Sequence, residues 1–150
     1  MIIDSLLEFA DAVALNTGAA ATYVVGSQID LGGIGRDVGQ GRPMYLVISI
    51  DTTLTSGGAA TVQFKLVTDA SAALATDGTS TEHWASDNFA YTELTAGKVI
   101  IVPLPSNFPT FERYMGILQV TGVAALTAGK FNAMLTFDPV GWKSFPDATN

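Results

Sequence analysis

Between Met44 and Asp51 the sequence MYLVISID alternates, with Met44, Leu46, Ile48 and Ile50 on one face and Tyr45, Val47, Ser49 and Asp51 on the other. A period of two predicts a β-strand, and apolar groups on both faces predict a central one. In TVQFKLVT, from Thr61 to Thr68, Val62, Phe64 and Leu66 alternate with Gln63 and Lys65. This is the signature of a strand with one wet face. The stretch between the two segments holds Ser56, Gly57 and Gly58, which supply the conformational freedom of a turn, so the pair is expected to form a hairpin. Alternation returns in VIIVPL (Val99 to Leu104), in RYMGILQV (Arg113 to Val120) and in KFNAMLTF (Lys130 to Phe137), the last with Phe131, Ala133, Leu135 and Phe137 inward. Shorter candidates are TYVV (Thr22 to Val25), QIDL (Gln28 to Leu31) and the weaker STEHWASD (Ser80 to Asp87). About eight strands at this spacing predict an all-β sandwich. Pro103, Pro105 and Pro109 place VIIVPL at a sheet edge, because proline cannot donate to a ladder. The pentapeptide LTAGK occurs at Leu94 to Lys98 and at Leu126 to Lys130, each time ahead of an apolar run, and reads as one turn used twice.

The two ends are less regular. In MIIDSLLEFADAVALN, Ile2, Ile3, Leu6, Leu7, Ala10, Val13 and Ala14 fit a helical stripe, whereas Leu7, Phe9, Val13 and Leu15 fit even spacing. Periodicity alone leaves both open. After the last strand, DPVGWKSFPDATN carries Trp142 and Phe145 and reads as a tail that packs on its own domain or on a neighbouring subunit.

Composition narrows the partners. With 150 residues the chain is expected to form one domain, 1–150, large enough to need no metal or disulfide. Seven basic and 14 acidic side chains give a net charge of -7, and the basic residues are scattered from Arg36 to Lys143. Phosphate backbones are bound by clustered Lys and Arg, so nucleic acid is not an expected partner. No apolar stretch approaches the ~18 residues of a membrane span, and the N-terminus has no basic n-region, so the expected protein is soluble and unprocessed. There is no cysteine, which removes thiol nucleophiles and zinc–thiolate sites.

A search for chemistry finds little. His83 stands near Ser80, Glu82 and Ser86, but residues two or three apart on a strand do not converge as a catalytic triad must. There is no GxSxG elbow, no HExxH and no calcium-loop spacing of aspartates. The glycines of DLGGIGRDVGQGRP (Asp30 to Pro43) miss the G-x-G-x-x-G register and lead into a strand, so no helix N-terminus waits for a pyrophosphate. That loop is expected to contact another chain. Neither an enzyme nor a cofactor is expected.

Several pieces taken in order carry a resemblance: FADAVAL at Phe9 to Leu15, a small-residue Ala/Thr stretch, IDLG at Ile29 to Gly32, and RDVGQGRPMY at Arg36 to Tyr45. Proline, aromatic and Arg113-Tyr114 follow before the penultimate strand. Over roughly Leu6 to Phe137 the chain resembles the capsid cement, or decoration, proteins of short-tailed bacteriophages. The resemblance implies a jelly-roll sandwich, makes the Phe9 to Leu15 segment a strand, and implies a position on the outer surface of the head. The implied partners are the major capsid protein and further copies of the chain, with a dimer favoured and a trimer the alternative. The apolar ends and the glycine loop are the expected contact regions, through Ile2, Ile3, Leu6, Phe9, Arg36, Arg42, Trp142 and Phe145. A second reading is a carbohydrate-binding or fibre module, for which Trp84, Tyr91 and Trp142 are the candidate stacking residues.

Overall fold

A computed structural model of the chain, describing residues 5–32, 43–104 and 110–139, arranges the alternating segments as nine strands among the described residues. They are β1 (Glu8–Ala14), β2 (Thr22–Asp30), β3 (Met44–Ser56), β4 (Thr61–Asp69), β5 (Thr81–Ala85), β6 (Phe89–Ala90), β7 (Val99–Leu104), β8 (Tyr114–Gly122) and β9 (Leu126–Thr136). One sheet has the order β1-β9-β3-β7, the other β2-β8-β4-β5 with the two-residue β6 also on β4. The chain pairs as a ribbon folded back on itself: β1 with β9, β2 with β8, β3 with β7, and β4 with β5, all antiparallel. Winding such a ribbon into two facing sheets gives a jelly roll. β3 has a neighbour on each side and β7 lies at the edge with Pro103 opposite Tyr45, as the two-sided apolar pattern and the proline predict.

The expected hairpin between the third and fourth strands does not form. β3 and β4 stand in different sheets, and residues 57–60 carry the chain across the ~10 Å between layers. Both strands have one strongly apolar face, and facing each other across the core buries both. Phe64 of β4 stacks on Phe131 of β9 with ring centroids 5.8 Å apart, tying one sheet to the other. Ile48, Ile50, Val62, Leu66, Met115 and Ile117 complete the centre of this core.

Three further expectations change, and the open reading of the N-terminal segment is settled. TYVV and QIDL are one strand, β2, whose register slips between Val25 and Ile29 around Gly26. Among the described residues of the N-terminal segment, Ser5–Leu7 forms a single 3-10 turn and Glu8–Ala14 is β1, a strand as the resemblance implies. Phe137 lies beyond the end of β9 and is 49 % exposed, so it does not point inward. The LTAGK repeat is not one turn used twice. Its first copy precedes β7, while its second lies within β9, and the two flank the same half of β3. On one side the Leu54 N–H donates to the Leu94 carbonyl and the Gly97 N–H to that of Ile50. On the other, Thr52 and Thr55 are opposite Lys130 and Ala128.

Two details fix the connections. Gln119 on β8 is fully buried; its amide donates to the Asn16 carbonyl at 2.9 Å and accepts from the Asn16 N–H at 2.8 Å, pinning the β1–β2 link. On the outside of the β2-β8-β4-β5 sheet, Leu74 of the β4–β5 connection packs with Val67 and Leu118. Gly116 makes room for it, since a Cβ there would come within 2.3 Å of the Leu74 side chain. Leu74→Ala is therefore expected to cost about 2 kcal/mol and to free the connection. Urea unfolding gives the energy, and proteolytic cleavage between residues 70 and 80 reports the freed loop.

Candidate interaction surfaces

The one histidine is structural in its setting. The β4–β5 register steps from Leu66 opposite Trp84 to Val67 opposite Glu82, which makes His83 the extra residue of a β-bulge. A bulge re-aims a side chain, and here it sends the imidazole inward. Its Nε2 lies 2.7 Å from the Thr68 hydroxyl and its ring stacks on Phe111 at 4.3 Å. The same hydroxyl accepts the Glu112 N–H at 3.2 Å, so His83, Thr68 and residues 111–112 form one buried joint. Ser86, imagined as a triad partner, donates its hydroxyl to the Asp87 carbonyl and accepts the Phe64 N–H. It extends the β4 ladder.

Burial lowers the His83 pKa below 6.5, while the Glu112 charge opposes the shift. With the folded value lowered, the neutral form's stability is fully present above about pH 6.5 and is lost as pH falls from there toward the folded pKa. The native chain is expected to lose stability from pH 7.5 to 5.5, with a slope of at most about 1.4 kcal/mol per pH unit from this one proton. His83→Leu should flatten that slope. Thermal melts of both chains at several pH values check it.

The face of the β1-β9-β3-β7 sheet turned away from the core is apolar at its centre. Strand alternation puts Met134, Val47 and Ile101 there in one cross-strand row, since Val47 is opposite Met134 on β9 and Ile101 on β7. Val47 and Met134 are buried yet lie outside the core cluster, and Ile101 is 44 % exposed. Tyr45 and Pro103 border the row toward one end, Ser49 and Asn132 toward the other. Sequence reading missed this surface. Its signal was present in MYLVISID, where apolar residues on the second face were assigned to a central strand but not to a surface.

A second candidate region is the flank where β1 and β2 leave edges unpaired among the described residues, one from each sheet. Gly26, at φ 76, brings β2 so near that a Cβ there would sit 2.3 Å from the Phe9 carbonyl oxygen. The groove alongside encloses about 590 Å³ and is lined by Ser5, Leu6, Glu8, Phe9, Ala10, Asp11 and Val13 on one wall and by Ser27, Gln28, Ile29 and Asp30 on the other. At its end Arg113 clasps Asp30 through two hydrogen bonds of 2.9 Å, from Nε and Nη2, and the Leu31 N–H donates to the Arg113 carbonyl. The guanidinium, helped by the Gly32 N–H, pulls the Asp30 carboxyl down to about 2. Among the described residues, no ion pair involves Glu8 or Asp11.

Of the eight expected contact residues, Leu6 is on this groove and 77 % exposed. Phe9 is 1 % exposed, a core residue of its own sandwich, so its side chain offers no contact surface. Ile2, Ile3, Arg36, Arg42, Trp142 and Phe145 lie outside the described residues, as does most of the glycine loop. Trp84 and Tyr91 are half-buried and pack against the core. Among the described residues no cluster of three or more His, Asp or Glu side chains is placed to hold a metal, and no helix is long and apolar enough to cross a membrane.

No curated protein matches the chain. A protein-family model described as Bbp16 matches residues 9–135, from the second residue of β1 to the penultimate residue of β9, and so takes in both sheets. That span covers most of the chain, and the protein belongs to the Bbp16 family.

Proposed function

We propose that this protein is a capsid cement protein: it binds the outer surface of a bacteriophage head, joins neighbouring major capsid proteins, and works as a homo-oligomer, with a dimer favoured. The observation that carries the reading is that three of the sequence pieces resembling cement proteins converge in space. FADAVAL forms β1 and IDLG ends β2, so both line one groove; the Asp30 of IDLG is clasped by the Arg113 that begins the late Arg-Tyr pair.

The function then follows from mass action. A chain that binds the assembled shell but not its dissociated subunits shifts the equilibrium toward the shell by RT ln(1 + [L]/Kd) per site, repeated over the lattice. Such a task asks for a rigid sandwich and well-placed surfaces. The sugar-binding alternative draws on Trp84 and Tyr91, which are half-buried against the core, and on Trp142, which lies outside the described residues.

Quantitative mass spectrometry of purified particles tests the proposal. A ratio to the major capsid protein near one, or a simple fraction of it, is the expected result. A handful of copies per particle, or none, would overturn it in favour of a vertex, tail or unrelated binding role.

A further inference from the structure

We infer that the groove between β1 and β2 receives a short extended segment of the shell subunit that carries a basic side chain next to an apolar one. The inference rests on the cement reading and assigns the contact that reading requires.

The shape comes first. Each wall is a strand with one edge paired, β1 to β9 and β2 to β8, and the other edge unpaired among the described residues. Unpaired strand edges are the usual acceptors of an added extended segment. Two register shifts along β1 and the left-handed Ala12 (φ 48), whose N–H is donated to the Asn132 side chain of β9, keep β1 from running straight. β2 is kinked at Gly26. Neither edge presents a long straight ladder, so only a short segment fits, and side chains must supply much of the recognition. A volume of about 590 Å³ is in the range of binding clefts, ~300–1,000 Å³.

The chemistry of the occupant comes from the lining. Glu8, Asp11 and Asp30 line the groove and, among the described residues, no basic residue does; Asp30 is answered by Arg113, while Glu8 and Asp11 are in no ion pair of the described residues. Two carboxylates on one groove attract a Lys or Arg from outside, and the pairing strengthens as the incoming segment displaces water. Leu6, exposed at the same groove, supplies the apolar step. A second copy of this chain is the poorer occupant: it carries a charge of -7, and two grooves meeting would bring their carboxylates together.

Binding of the purified full chain to heads that lack it, measured at low and at physiological salt, tests the inference. The native chain should bind, more weakly as salt rises. Glu8→Lys combined with Asp11→Lys should reduce apparent affinity at least tenfold, and Glu8→Gln with Asp11→Asn should cost less and reduce the salt dependence. Asp87→Lys, at an exposed acid that does not line the groove, should bind like the native chain. Native-like binding by a Glu8/Asp11 variant whose melting temperature is unchanged would overturn the inference, and so would an equal loss in Asp87→Lys. If the lysine pair fails to fold, the amide pair decides by the same criterion. If the native chain itself does not bind, it is the cement reading that fails, and the groove assignment falls with it.

Discussion

Phe131→Ala should lower the unfolding free energy by about 3–5 kcal/mol, more than any surface change in this chain. The ring is fully buried on β9, the strand between β1 and β3, and it stacks on Phe64 of the opposite sheet. Truncation removes the transfer energy of the ring and leaves a cavity between two sheets whose spacing is held by many other side chains, so collapse into it is limited. Phe64→Ala should cost a similar amount. The double variant should cost less than the sum, because the second truncation enlarges a cavity already present and the stacking term is lost only once. Urea unfolding of the four chains closes the cycle, and strict additivity would count against the stack as the link between sheets.

Gly26→Ala should destabilise by about 2–4 kcal/mol. Two effects add: a positive φ that an L side chain adopts at a cost of ~1–2 kcal/mol, and a Cβ placed 2.3 Å from the Phe9 carbonyl oxygen, where backbone and not a flexible side chain must yield. The control is Gly57→Ala, in the β3–β4 connection, where a Cβ meets nothing within 4 Å and the change is expected to be neutral or slightly stabilising. If both variants melt alike, the close approach of β1 and β2 is not what requires glycine at position 26.

Much of the architecture was legible because period-two alternation reports directly which side of a strand is covered. VIIVPL is β7 to the residue, and its proline located an edge. Pairing was not legible in the same way. MYLVISID and TVQFKLVT have the pattern of hairpin partners, but alternation says only that each has an apolar face. It is equally satisfied when those faces meet across a core, and a jelly roll chooses that arrangement. The kink at Gly26 split one strand into two candidates for a related reason: a bulge shifts the phase of the alternation without ending the strand. Among site residues, Leu6 was accessible to reasoning as an apolar residue near the chain end. Glu8 and Asp11 were not, since isolated acids look like ordinary surface charge until β2 is laid beside them. Phe9 was placed on the surface by the same end-of-chain argument and proved to be core, because β1 starts only one residue before it.

The position of β9 has a consequence for how the chain is made. It is the last strand among the described residues, yet it lies between β1 and β3, so their shared ladder is absent until residues 126–136 have emerged from the ribosome. Until then the apolar faces of Leu46, Ile48 and Ile50 lack the neighbour that closes their sheet, and β1 has no partner at all among the described strands. Closing the sheet is therefore expected to wait for pairings more than a hundred residues apart, and to be slow for a chain of this size. Its exposed intermediates are most at risk of associating wrongly in just that interval.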